Sequence, residues 1–407
     1  MPLNIEWTGR DQLERIARIR WQCYGSRENE LESFIQRTRT GRFMDGDVAI
    51  ATENGVDVGT ATSLSLHMYI RGKRLDCQGV AWVGASKSHR RRSGEERGVA
   101  SQVMDALLQR ARERKQVVSA LMPFRVSFYE HFGYGLVERQ NVWTLPTLIL
   151  PPGASSNWRF GTPGDKPAMI RCRLKQAESG MCDVETSPAA MDEWLAHLTP
   201  DTQLFVDQQS DSIRAYLWLR TVIEEEKTVA VTVQPGFSDI EGLKSILRFL
   251  GSLKDQYGLA RIVLPVDVPL NLLLKEHQVP HRRVEHLSAT CQTITRMQMR
   301  ILDHVGFWTG QRIARPVHQR VCLAVRECEG TVSRFTLDLS GETVQAEHSS
   351  SEPDLTVSDV VWASIAAGEL RCSTAVHLGF VSVYRPEAVR ALEVLAEGQT
   401  PFCYEYF

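Results

Sequence analysis

The stretch SHRRRSGEERGVASQVMDALL, Ser88 to Leu108, follows the strand-like LDCQGVAWVGA (75–85). Its second half sets Val99, Val103, Ala106, Leu107 and Arg110/Ala111 at helical spacing. In such a strand-turn-helix, the first N–H groups of the helix lack partners and point, with the positive end of the dipole, at the turn. That end favours a phosphate. Gly94 and Gly98 let the backbone come close, and Arg90, Arg91 and Arg92 offer charge-assisted hydrogen bonds to phosphate oxygens. The competing reading is a solvated basic run, partly neutralised by Glu95 and Glu96.

The segments on either side specify a mixed sheet. Upstream, DQLERIARIRWQCY (11–24) has the period of an amphipathic helix, with Leu13, Ile16, Ala17, Arg20/Trp21 and Tyr24 in step. VAIATENGVDVGTATSLSLHMYI (48–70) holds two β-rich runs joined at Asn54-Gly55, where both residues accept positive φ. A second turn at Arg71-Gly72-Lys73 leads into the strand before the basic run. Downstream come VVSALM as a strand, RVSFYEHFG as a helix-sized segment and LVERQNVWTL as a strand. This order describes an α/β or α+β domain.

Residues 146–167 are dense in Pro, Gly and Ser and read as a linker. Beyond them the expected elements are an extended run near 169–174, a helix at DSIRAYLWLRTVIEEE, a strand at TVAVTV, a turn at QPGFSD, a helix at IEGLKSILRFLGSLKDQY and a strand at ARIVLPV. The strand-turn-helix-strand unit thus occurs twice, the second time without arginines. From about 286, TRMQMRILDHVGFWTG suits a helix, residues 317–349 a meander of strands, and SDVVWASIAAG and RPEAVRALEVLAEG helices. With 407 residues and roughly 100–200 per domain, three domains are expected: 1–150, 151–285 and 286–407.

Composition excludes several classes. Apolar residues are 43% and charged residues 24%, as in globular chains, and a net charge of −2 argues against nucleic acid as a partner. No window approaches the ~18–20 apolar residues of a membrane span, and the N-terminus lacks a signal-type apolar core, so a cytoplasmic protein is expected. The nine cysteines include no CxxC pair and read as reduced thiols. His277 and His281 are interrupted by Pro280, so no metal pair is expected.

Three stretches carry a family resemblance. VGASKSHRRRSGEERGVASQVM resembles the pyrophosphate loop of the GNAT N-acetyltransferases, with Gly98-Val99-Ala100 on the Gly-x-Gly/Ala part; Glu95 stands where that loop carries Gln or Arg, so the arginines align only across an insertion. FYEHFGYG (128–135) is similar to the family's tyrosine segment. The chain's last residues, GQTPFCYEYF, together with the order of the parts, resemble the Eis (enhanced intracellular survival) branch.

The resemblance implies two GNAT-like mixed-sheet domains in tandem, the second degenerate, followed by a sterol-carrier-protein-like α+β domain. It implies acetyl transfer from acetyl-CoA to a primary amine without a metal, with Tyr129 as general acid and the terminal carboxylate of Phe407 as general base. Val83, Gly84 and Ala85 would meet the pantetheine; Arg90, Arg91, Arg92, Gly98, Val99 and Ala100 the pyrophosphate; Phe124 and Arg125 would line the same site. The acceptor is a small amine or a protein lysine, and a homo-oligomer, by analogy a hexamer, is implied. The alternative is a lipid- or acyl-binding carrier whose acetyltransferase half is vestigial.

Overall fold

The computed structural model describes residues 3–89, 97–153, 157–196, 198–275 and 287–407, which form three sheets. Across the first run β1 (Asn4–Thr8), β2 (Val48–Glu53), β3 (Val56–Ile70), β4 (Lys73–Ala85), β5 (Val118–Leu121), β15 (Gln298–Ile301) and β6 (Gly135–Leu136), with β9 (Asp183–Val184) paired to β3. The turns Asn54-Gly55 and Arg71-Gly72 have positive φ at both residues, as the expected hairpins require.

Helices cover both faces of this sheet. Val48 and Ile50 pack with Ile16 and Ile19 of α1 (Leu13–Tyr24), beside α2 (Leu31–Thr40). Ala49 and Ala51 face the other way, toward Val103, Met104 and Leu107 of α3 (Val99–Glu113). α4 (Val126–Glu130) lies between β5 and β6.

The stretch 295–310 is not the expected helix. It forms β15 and the short α8 (His304–Trp308). β15 is inserted between β5 and β6, so both its faces are buried: Met297, Met299 and Ile301 enter the apolar core, while Gln298 and Arg300 bond the Tyr134 and Phe132 carbonyls at 3.0 and 2.9 Å.

The second sheet is ordered β14 (Thr290–Thr295), β7 (Arg139–Pro146), β13 (Leu259–Pro265), β12 (Lys227–Phe237), β11 (Ser212–Glu224), β10 (Thr202–Gln209) and β8 (Trp158–Phe160). Two expectations fail here. DSIRAYLWLRTVIEEE is the strand β11: its Ala215, Leu217 and Leu219 pack on α7 (Ile240–Ser252), while Tyr216 and Trp218 pack on α5 (Lys166–Glu178). A strand covered on both faces loses apolar-polar alternation and looks helical in sequence. Conversely, 169–174 is part of α5, whose buried Met169, Cys172, Arg173, Gln176 and Ala177 follow the helical period; a capping box at Thr162 and Asp165 closes the turn that leads into it. α6 (Pro188–Ala196) packs beside α5.

The repeated unit is present. β4 and β5 are parallel around α3, and β12 and β13 are parallel around α7. Both leading strands are bulged, with a positive φ at Trp82 (55°) and at Gln234 (45°).

The third sheet is ordered β18 (Gln345–His348), β17 (Val332–Asp338), β16 (Arg320–Arg326), β19 (Leu355–Ser358) and β20 (Val381–Val383), accompanied by α9 (Asp359–Ala367), α10 (Cys372–His377) and α11 (Pro386–Leu392). Its core is continuous with that of the first sheet, because Met299 and Val118 belong to the same buried cluster as Leu323, Phe335 and Trp362. The positions 150 and 286 are therefore not sheet boundaries: β7 belongs to the second sheet and β15 to the first. Among the described residues, no helix is long and apolar enough to cross a membrane.

Candidate active site

β4 pairs with β5 only from Cys77 to Gly79, so its last six residues lose their neighbour on that side. A cavity of about 590 Å³ opens at this splay. Its wall contains Val80 to Val83 from β4, Met122 and Phe124 after β5, Tyr129 from α4, and Tyr406 and Phe407 from the chain terminus. The predicted Val83, Phe124, Tyr129 and Phe407 thus meet in one concave site of ligand-binding size.

Tyr129 is buried among Phe124, Phe128 and Tyr134, with ring centroids 5.6, 5.0 and 6.2 Å away. Its hydroxyl makes no hydrogen bond to a described residue, and burial pushes its pKa up, so the phenol keeps its proton. Two neighbouring tyrosines are engaged instead. The Tyr134 hydroxyl meets Ser119 at 2.7 Å, and the Tyr24 hydroxyl donates to the Val83 carbonyl on the splayed strand.

The tail reaches the cavity along residues 181–186. Phe402 N–H donates to the Met181 carbonyl (2.8 Å), and Tyr404 N–H donates to Asp183 (2.9 Å). Asp183 is itself held by two bonds from Arg173, at 2.9 and 2.5 Å. Glu405 is buried and accepts from Arg42 (2.6 Å), Trp194 (3.2 Å) and Thr186. Phe407 then lies against Gly79; a Cβ there would stand 3.0 Å from its ring and 2.4 Å from Leu66, so the close approach requires glycine. Glu138, buried beside the tail at Cys403, has its pKa raised to about 7 by desolvation.

The remaining predicted positions lie away from this cavity or outside the described residues. Arg90, Arg91 and Arg92 are outside them, as are His277 and His281. Gly98, Val99 and Ala100 form the start of α3, where Gly98 supplies no side-chain cap. That uncapped end, with the splayed β4, fits a phosphate-bearing pantetheine ligand. At the corresponding end of α7 the Asp239 carboxylate accepts the Gly242 N–H at 2.8 Å, so that position is filled by the chain's own anion. Gly84 and Ala85 continue the splayed strand, while Arg125 is exposed and does not line the cavity.

The cavity also contains residues that the motifs did not indicate: Arg20, Trp82, Glu193, Trp194 and Arg220. Arg20 had one signal, a charged residue on the buried face of α1. Trp82 sits on β4 at its bulge, and Glu193, Trp194 and Arg220 come from α6 and β11, where no motif marked them.

Comparison with known proteins bears on this site. Residues 5–137 match the family model described as acetyltransferase (GNAT) domain. No curated protein matches the sequence. Among solved structures, a GCN5-related N-acetyltransferase from Anabaena variabilis is similar over 100% of both chains at TM-score 0.83 and 16% identity. Eis1 from Mycobacterium abscessus is similar over 100% of both chains at 0.78 and 16%. A probable N-acyltransferase from Enterococcus faecalis is similar over 100% of both chains at 0.80 and 15%.

Proposed function

We propose that the protein, an acetyltransferase whose residues 5–137 match the acetyltransferase (GNAT) domain, moves acetyl from acetyl-CoA to a primary amine inside the cavity described above. The observation that carries this reading is the meeting of Tyr129 and the chain terminus at the splayed end of β4. Acetyl-CoA supplies an already activated thioester, and a GNAT domain uses it as acetyl donor. Gly98, Val99 and Ala100 would hold its pyrophosphate together with Arg90, Arg91 and Arg92, and Val83, Gly84 and Ala85 its pantetheine. Phe124 and Arg125 would flank it.

The Phe407 carboxylate accepts a proton from the substrate ammonium, freeing a lone pair for attack on the thioester carbonyl. Backbone N–H groups at the β4 bulge stabilise the charge that develops on the carbonyl oxygen. The C–N bond forms as the C–S bond breaks, the Tyr129 hydroxyl gives its proton to the departing sulfur, and the second proton that the nitrogen sheds on becoming an amide returns to the Tyr129 oxygen. A phenol suits that step because it stays protonated at neutral pH, while a thiolate with an ordinary pKa of about 8.5 accepts the proton readily.

The domains 1–150, 151–285 and 286–407 then have separate tasks. The first binds the donor, the second helps wall the acceptor end, and the third, read as sterol-carrier-like, delivers the tail. Assembly as a homo-oligomer, a hexamer by the same likeness, belongs to this reading. Thiol release from acetyl-CoA across a panel of primary amines, with calorimetry of acetyl-CoA binding, tests it. Turnover with measurable binding is expected. Bound lipid in the purified protein, with no heat from acetyl-CoA, would favour a carrier with a vestigial acetyltransferase half.

A further inference from the structure

We infer that the acceptor is an amine that also bears a carboxylate, an amino-acid-like zwitterion and not a polycation; the inference rests on the acetyl-transfer reading of the cavity. Four arginines line that cavity: Arg20 on α1, Arg37 on α2, Arg42 just after α2 and Arg220 on β11. Arg42 is neutralised twice, by Glu193 at 2.5 Å and Glu405 at 2.6 Å. The other three make no ion pair with any described residue. The cavity's one acidic side chain among the described residues, Glu193, is thus already engaged.

Arg20 is the informative member. Its side chain is buried, at 2% exposure, yet its polar contacts are two neutral hydroxyls, Thr38 at 3.3 Å and Thr62 at 3.0 Å, and its Nε has no partner. The guanidinium lies over the rings of Phe43 and Trp82, at 5.1 and 4.7 Å. Desolvation outweighs the attraction of Glu193, which is already paired with Arg42, and lowers the Arg20 pKa to about 9. A buried cation with an open donor and no carboxylate bonded to it is costly, and a ligand carboxylate would complete it, since the guanidinium fork matches a carboxylate in two parallel hydrogen bonds.

Two further facts separate this charge from donor binding. α1 and α3 lie on opposite faces of the first sheet, so Arg20 is across the sheet from the α3 N-terminus. Arg220 belongs to a different sheet altogether. A polycationic acceptor would meet three arginines that have no ion pair with a described residue, against one cavity carboxylate, Glu193, that is already paired with Arg42, and the terminal carboxylate that takes the proton.

Matched pairs of acceptors test this: phenylalanine with phenethylamine, tyrosine with tyramine, and spermidine as the polycation, each followed by thiol release from acetyl-CoA. The carboxylate-bearing member should have a kcat/KM higher by about tenfold or more, as one charge-assisted hydrogen-bonded pair provides. Arg20→Gln and, independently, Arg220→Gln should shrink that ratio through the KM of the amino acid. Arg220 is exposed, so its variant keeps the test valid if the Arg20 substitution prevents folding. Equal or better turnover of phenethylamine, tyramine or spermidine overturns the inference and leaves acetyl transfer standing. No turnover with any amine, and no heat on adding acetyl-CoA, overturns both.

Discussion

Tyr129, Tyr134 and Tyr24 have similar chemistry and different positions. Only the first has a hydroxyl without a described partner on the cavity wall; Tyr134 is tied to Ser119, and Tyr24 to the Val83 carbonyl. Tyr129→Phe keeps the ring packing with Phe124 and Phe128, so it should lower kcat by about 10²-fold or more with acetyl-CoA affinity, measured by calorimetry, nearly unchanged. Undiminished turnover would remove Tyr129 as the acid. The FYEHFGYG stretch pointed to this residue, yet no pattern distinguishes a free hydroxyl from a bonded one. Glu138 is a second case. Its carboxyl is held protonated by burial, with the pKa raised to about 7, whereas in the unfolded chain it ionises near 4.5. Its contribution to stability is therefore fully present below about pH 4.5 and is lost as the pH rises through about 7. Glu138→Gln should flatten that part of the curve of melting temperature against pH; an unchanged slope between pH 5 and about 8 would refute the assignment.

Helices α3 and α7 stand in equivalent units but have different ends. Gly98 gives the start of α3 no side-chain cap among the described residues, whereas the Asp239 carboxylate caps α7 at the Gly242 N–H. The first can receive a phosphate and the second has its anion built in. The sequence marked that contrast only by the missing arginines of the second turn; the cap itself came from the structure. The strand β11 was not visible in the sequence, because neighbours on both faces erase the alternation by which a strand is recognised. β15 lies between these cases: Met297, Gln298, Met299, Arg300 and Ile301 do alternate, but their partners, β5 and β6, are far away in sequence. The terminal segment is an element in its own right, although it has no regular secondary structure. Its backbone and side chains are fixed as far as Glu405, so one added residue after Phe407 would displace the carboxylate by about 3.5 Å without disturbing the anchor. Such an extended protein should lose most of its turnover and keep its melting temperature. Full activity would rule out the carboxylate as base.

Across the molecule, the site depends on three sheets, of which the first and third share one core and the first takes strands from every part of the chain. β15 enters the first sheet from the last third of the chain, and residues 181–186 of the middle region guide the tail to Gly79 of β4. The buried Arg173–Asp183 pair is the joint of this arrangement, because Asp183 also receives Tyr404 N–H. Removing one partner leaves an uncompensated buried charge, so Arg173→Met should destabilise the fold by about 3–5 kcal/mol in denaturant titration. Activity should fall along with tail docking; a stable, fully active variant would show that the pair is not the anchor. The local patterns in the chain were enough to reveal hairpins, the α3 turn, the tyrosine segment and an aromatic terminus, since each depends on neighbours within a few residues. They were not enough to reveal which distant segments meet. The insertion of β15, the strand character of β11, and the arginine wall built from α1, α2 and β11 arise from packing between parts hundreds of residues apart, where burial on both faces hides the periodicity and the meaning of a charge depends on whether its partner is there.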